Sequence, residues 1–166
     1  MASRDRGVLY ATGHLVLFAP HGSPLAEDPG IEQLRAGLAR GSIRRLAMAN
    51  PDHAPYGRAA REWLQTQGLW EAAQGALVLG ENVAQAGQFA TSGAQAAILP
   101  LSLAMAPQVG ARGRYVRLDE AHHQPLRQRM VLLRDASAEA ARFHEYMQGP
   151  AARAIMRRFG FLLPGE

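Results

Sequence analysis

Short apolar runs alternate with segments of helical spacing along the whole chain, and this alternation restricts the fold more than any other feature. Leu15 to Ala19 is a continuous apolar run stopped by Pro20 and reads as a strand. Ile31, Leu34 and Leu38 recur at helical spacing, so residues 30–39 are predicted helical, and Gly41-Ser42 ends them. A second strand is expected over Ile43 to Asn50. A helix ending near Gly68 follows, with Ala60, Trp63 and Leu64 on one face. Residues 69–74 read as a helical turn, Ala76 to Leu79 as a third strand, 83–91 as a helix and Ala96 to Leu99 as a fourth strand. Beyond Pro100, Ser102 to Ala106 is a short helix that Pro107 should stop. Arg114 to Leu118 and Arg129 to Leu133 read as further strands. Ser137 should cap a helix over 138–147, and Pro150 and Gly160 should bracket the last helix. Phe161-Leu162-Leu163 reads as a terminal strand. Strand and helix alternating across short loops specify an α/β fold with a mostly parallel sheet.

Composition narrows the function. A hydrophobic fraction of 48% is enough for a packed core. The net charge is +4, every basic residue is arginine, and the arginines are spread from Arg4 to Arg158 instead of gathered into a stripe. No nucleic-acid partner is therefore expected. The absence of cysteine excludes disulfides and cysteine-based zinc sites. No apolar run is long enough to span a membrane. Arg4 and Arg6 ahead of the stretch Val8 to Pro20 superficially look like a signal peptide. Gly13 and His14 interrupt that stretch, and no small-x-small cleavage pattern follows, so a buried strand over residues 15–18 is the better reading and no signal peptide is assigned.

In such a sheet, the carboxyl ends of the strands open onto a crevice into which the next helices aim their N-termini. Two junctions stand out, Ala49 to Gly57 and Leu79 to Gln85. A helix start leaves backbone N–H groups without intrahelical partners, and these, with the helix dipole, suit an anion. At the first junction the candidate donors are the N–H groups of Tyr56 and Gly57, with Pro55 fixing the chain and offering no donor of its own. At the second, Asn82 reads as the N-cap and Val83 follows with its N–H. By spacing alone these are equally ordinary helix starts whose N–H groups meet water or caps, because every α/β protein has such junctions.

The same two segments carry a resemblance. Ala49-Asn50-Pro51-Asp52-His53-Ala54-Pro55-Tyr56-Gly57-Arg58-Ala59-Ala60 and Leu77-Val78-Leu79-Gly80-Glu81-Asn82-Val83-Ala84-Gln85 resemble the molybdate-binding proteins of ABC importers. Supporting matches are Leu15 to Pro20, Pro125-Leu126-Arg127-Gln128 and Arg157-Arg158-Phe159-Gly160-Phe161, in the family's order and over nearly the whole chain. The resemblance implies a periplasmic-binding-protein type 2 fold whose two lobes close on an oxyanion, molybdate or tungstate. It implies no enzymatic activity and no cofactor. The membrane subunits of an ABC importer are the implied partner and the periplasm the implied location. The family's second-lobe contacts fall on Tyr56 and Val83, chiefly through backbone N–H, with Gly57 and Asn82 beside them. Some members add a tyrosine hydroxyl from the strand ending near Leu99; that position is Pro100 here, so this contact is not expected.

On the same resemblance, residues 1–19 correspond to the end of the first lobe and a hinge strand. Residues 20–118 correspond to the complete second lobe, and 119–166 to the return into the first. The family's opening strand and serine-rich turns have no counterpart. The expectation is an impaired site and C-terminal helices that find missing packing through self-association. The alternative is an interaction or assembly module, or a remnant, with no ligand affinity of its own.

Other residues read more plainly. His122-His123 lacks a third ligand at suggestive spacing and reads as an exposed loop pair. No nucleophile-elbow pattern surrounds any serine. Asp52 and His53 have the chemistry of an acid/base pair, but the resemblance makes them loop supports. Trp63 and Trp70 are expected in the core or on a lobe surface, and Phe143, Tyr146 and Met147 packed at helical core spacing.

Overall fold

The computed structural model describes residues 6–166; Arg4, named above, lies outside the described residues. The elements run β1 (Val8–Gly13), β2 (Leu15–Pro20), α1 (Ile31–Ala39), β3 (Leu46–Ala49) and α2 (Pro55–Thr66). Next come α3 (Trp70–Ala73), a 3-10 turn, β4 (Leu77–Gly80), α4 (Val83–Thr91) and β5 (Ala96–Pro100). The short helices α5 (Leu101–Ala104) and α6 (Pro107–Gly110) lead to β6 (Gly113–Arg117). After a second 3-10 turn follow β7 (Leu126–Met130), α7 (Ala138–Tyr146) and α8 (Pro150–Arg158). The chain divides into two compact units: His14–Leu126, and the residues up to Gly13 together with Arg127–Glu166.

The larger unit is a five-stranded sheet in the order β4-β3-β5-β2-β6. β2, β3 and β5 are buried along almost their whole length, as their uninterrupted apolar sequences require of strands covered on both faces. Alternate side chains sort to the two faces. Leu15, Leu17, Leu46, Met48, Ala96 and Ile98 pack with Leu34, Trp63 and Leu64. Val16, Phe18, Ala47, Ala97 and Leu99 pack with Ala86, Ala90, Ala104 and Val109. The result is a three-layer α/β/α sandwich. Trp63 is buried in the first layer, and Trp70 is partly buried and packs against that layer.

The expectation of a mostly parallel sheet holds in the half that carries the candidate site, where β3 is parallel to β4 and to β5. β2 runs antiparallel to both β5 and β6, so the sheet is mixed. Strand direction across a long chain excursion leaves no mark on local periodicity, which is why the sequence did not disclose it. Pro107 opens α6 at its first position instead of only ending what precedes it.

Within this unit, His14 is 6% exposed and its Nδ1 lies 2.5 Å from Glu120 Oε1. Arg117 Nη2 is 3.2 Å from the same oxygen and 3.1 Å from His14 Nδ1. One nitrogen cannot both donate and accept, and the shorter contact identifies Nδ1–H as donor to Glu120. Burial pushes the imidazole below its ordinary 6.5, outweighing the pull of Glu120, and Arg117 and His123 act in the same direction as burial. The unfolded chain therefore takes up this proton at a higher pH than the folded one. The stabilisation is complete above 6.5 and is lost as pH falls through the folded value. The unfolding midpoint should drop on acidification from about pH 7.5 to about pH 5, with a shallower slope in His14→Gln. Equal slopes in the two proteins would remove His14 from this account.

The smaller unit pairs β1 with β7 in a two-stranded sheet, and Thr12 forms an isolated bridge with Leu162. Ala11, Ala152, Met156 and Leu163 form its core. β1 was not foreseen as a strand separate from β2; it ends at Gly13, and His14 alone stands between the two strands. The strand expected over Arg129 to Leu133 lies at Leu126–Met130. There Leu126, Gln128 and Met130 alternate with exposed Arg127 and Arg129, a period-2 pattern that outweighs the apolar run further on. Phe161 to Leu163 contribute a bridge instead of a strand. Phe143 and Tyr146, expected to pack, are 63% and 49% exposed and stack on each other with ring centroids 6.3 Å apart. None of the nine residues of α7 is buried. Gly160, at φ 76°, occupies the left-handed position after α8, as expected.

Candidate functional site

The parallel register that pairs Ala49 with Gly80 brings the ends of β3 and β4 side by side. The Asn50 N–H donates to the Gly80 carbonyl at 2.7 Å, one residue beyond the ladder. Helices α2 and α4 start six and three residues after these two neighbouring strand ends, so their first turns rise from the same edge of the sheet.

The approach to α2 is held by its own polar groups. Asn50 Oδ1 accepts from the Asp52 N–H at 3.0 Å, and the Asn50 carbonyl accepts from the Ala54 N–H at 3.0 Å. Ala54 is the extended N-cap residue and offers no side-chain cap. Pro55 takes the first helical position and lacks a donor, so the first-turn donors of α2 come from Tyr56 and Gly57. Gly57 is buried against the end of β3. A Cβ there would stand 2.7 Å from the Asn50 carbonyl carbon and oxygen, and closer still to the Ala49 oxygen. Only glycine permits α2 to begin this close to the strand it follows.

At α4, Asn82 is the N-cap, and its Oδ1 accepts from the Gln85 N–H at 3.0 Å. Gln85 Oε1 reaches back to the Glu81 N–H at 2.7 Å, a variant of the capping box shifted by one residue. The side chain of Asn82 is therefore occupied as a cap. That cap serves the third position of the helix, and the Val83 and Ala84 N–H groups precede any acceptor inside it. Gly80 parallels Gly57: a Cβ on it would lie 2.7 Å from the Ala86 nitrogen.

Neither first turn contains an acidic side chain, so the positive ends of both helix dipoles are uncompensated there. This suits an anion bound by neutral donors. Asp52 and Glu81 sit on the preceding loops. His53 Nε2 donates to the Glu81 carbonyl at 2.9 Å and lies 3.3 Å from Glu81 Oε2. His53 thus links the two loops, a role invisible in sequence because it requires knowing that β3 and β4 are neighbours. The linking role of Gly80 was missed too; its signal was a glycine ending a strand one residue ahead of Asn82-x-x-Gln85.

Of the four residues singled out in sequence, Tyr56 and Gly57 fall on one of these helix starts and Asn82 and Val83 on the other. Tyr56 is partly buried against the first core layer, Gly57 is buried, Val83 is partly buried and Asn82 is exposed. Pro100 is buried at the end of β5. The histidine pair departs from its expected exposure: His122 remains accessible, whereas His123 is 9% exposed with Nδ1 2.9 Å from the Gln124 carbonyl. Among the described residues no group of three or more His, Cys, Asp or Glu side chains is placed to hold a metal ion. No helix among them is long and apolar enough to cross a membrane.

The family model described as bacterial extracellular solute-binding protein matches residues 2–162. The molybdate-binding protein ModA of Azotobacter vinelandii is 33% identical over 156 residues, which are 92% of this chain and 59% of the relative. Its counterpart from Rhodobacter capsulatus is 28% identical over 92% of this chain and 58% of the relative. The chain thus spans somewhat under three fifths of these relatives' length. Among solved structures, the periplasmic molybdate-binding protein of Azotobacter vinelandii superposes with a TM-score of 0.80 at 28% identity, covering 98% of this chain and 70% of that one. The substrate-binding domain of a molybdenum ABC transporter protein from Clostridium difficile gives 0.68 at 19% identity, over 93% and 65% of the two chains, and supports the fold alone. The α/β, type 2 periplasmic-binding-protein architecture expected from sequence is thereby established. With the family model covering all but a few terminal residues, this chain belongs to the bacterial extracellular solute-binding proteins.

Proposed function

We propose that this chain binds a tetrahedral oxyanion, molybdate or tungstate, as part of the solute-binding component of an ABC importer in the periplasm, without catalysing a reaction. The observation that carries the reading is the junction of β3 and β4, where two helix starts free of acidic side chains rise from strand ends joined by the Asn50–Gly80 hydrogen bond. The relatives named for molybdate binding supply the ligand. The backbone N–H groups of Tyr56 and Val83 are the proposed principal donors, with Gly57 and the Asn82 backbone beside them. Hydrogen bonds to a charged group are worth about 1.5–3 kcal/mol each, so a handful can hold a dianion without a salt bridge. Residues 20–118 are the proposed second lobe in this scheme, with residues 1–19 and 119–166 assigned to the hinge and the first lobe.

A thermal-shift titration of the whole chain with molybdate, tungstate and sulfate tests the reading. A raised midpoint with the first two and none with sulfate is the expected result. No shift with any of them at millimolar concentration would overturn it. That outcome would favour the other reading, an interaction module, for which the unburied helix α7 and its exposed Phe143–Tyr146 stack are the supporting observation. In that case self-association through this face should appear as a concentration-dependent mass in solution.

A further inference from the structure

The geometry points to His53 as a positioning residue for the oxyanion site, fixing the peptide that leads into α4 from across the neighbouring loop. This inference rests on the oxyanion reading above. The Glu81 backbone is held on both sides: its N–H by Gln85 Oε1 at 2.7 Å, its carbonyl by His53 Nε2 at 2.9 Å. A trans peptide is planar, so fixing the direction of the Glu81 carbonyl fixes that of the Asn82 N–H on the far side of the same plane. It also sets the angle at which the chain enters Val83. Asn50 and Gly80 already join the strand ends through backbone atoms. His53 adds a side-chain tie further out, where the donors of α2 and α4 must be kept at one separation. A carbonyl can only accept, so Nε2 carries the proton in this contact whether the ring is neutral or charged.

The same ring has a second effect. Glu81 is 75% exposed and stands next to the N-cap of a helix proposed to receive a dianion, where its charge is unfavourable. With Nε2–H also 3.3 Å from Glu81 Oε2, His53 draws that carboxylate to its own side of the loop. His53 thus aims the donors and restrains the Glu81 carboxylate.

Calorimetric titration of the whole chain with sodium molybdate separates this from the reading it rests on. His53→Ala should weaken binding by about tenfold, the equivalent of one hydrogen bond's worth of preorganisation. Its ligand-free unfolding midpoint should stay with the wild type, because both partners are exposed. His53→Gln, which can place an amide N–H near the Nε2 position, should recover most of the affinity. Glu81→Gln keeps the carbonyl acceptor and removes the charge, and should bind at least as well as the wild type. Wild-type affinity in His53→Ala would overturn the positioning role and leave the oxyanion reading intact. So would equal losses in the Ala and Gln variants, or a loss matched by a lowered ligand-free midpoint. Absence of molybdate binding by the wild type would remove both.

Discussion

Val83→Pro is expected to leave the fold in place and to weaken molybdate binding by about 10- to 100-fold, the worth of one hydrogen bond to a charged group. The two effects separate because of where Val83 sits. It is the first residue of α4, the one helical position at which proline's fixed φ is already the right one and no intrahelical hydrogen bond is lost. The preceding Asn82 has φ −150° and ψ 175°, extended as a residue before proline should be. The capping bonds of Asn82 and Gln85 involve neither the Val83 nitrogen nor its side chain. Proline therefore deletes one N–H and little else. Calorimetry with molybdate, beside an unfolding curve without ligand, reads both quantities. Unchanged affinity with an unchanged midpoint would show that the Val83 N–H does not face the ligand.

Gly57→Ala should act on stability and binding together. The added methyl would meet the Ala49 and Asn50 carbonyl groups, which are backbone atoms at a strand end and cannot rotate away. Helix α2 would have to move off β3, at a cost of about 2–3 kcal/mol, or roughly 5–10 °C in unfolding midpoint for a chain of this size. The shift would also carry Tyr56 away from the α4 start. Gly75→Ala is the matched control, since a Cβ at Gly75 meets nothing within 4 Å, and its midpoint should stay within a degree or two of the wild type. A Gly57→Ala protein as stable as that control would mean that α2 does not press on the strand end as described.

What the sequence disclosed and what it withheld divide along a physical line. Helices announced themselves by local signals. Asn82 and Ser137 cap α4 and α7 as read, Pro55 and Pro150 occupy first turns, and Gly160 takes the left-handed turn after α8. The buried strands β2, β3 and β5 were equally plain from their continuous apolar character. The two segments of the candidate site were legible because helix starts after strands are local features and because their residues match a family. Pairing was not legible. Nothing near Leu15 states that its neighbour is Pro100 or that the two strands are antiparallel. The His53–Glu81 link depends on the same kind of information, the adjacency of β3 and β4. Phe143 and Tyr146 have core spacing but lack a partner surface, and spacing alone does not show whether one exists.

The central place of β2 has a consequence for how the chain is made. Its residues leave the ribosome well before those of β5 and β6, yet Leu15 waits for Pro100 and Val16 for both Leu99 and Arg117 before either edge is paired. Until then, five consecutive apolar residues, Leu15 to Ala19, have no sheet to enter. Translation must run through almost the entire larger unit before its most hydrophobic strand is sheltered, so the growing polypeptide is most prone to coalesce with its neighbours during that interval.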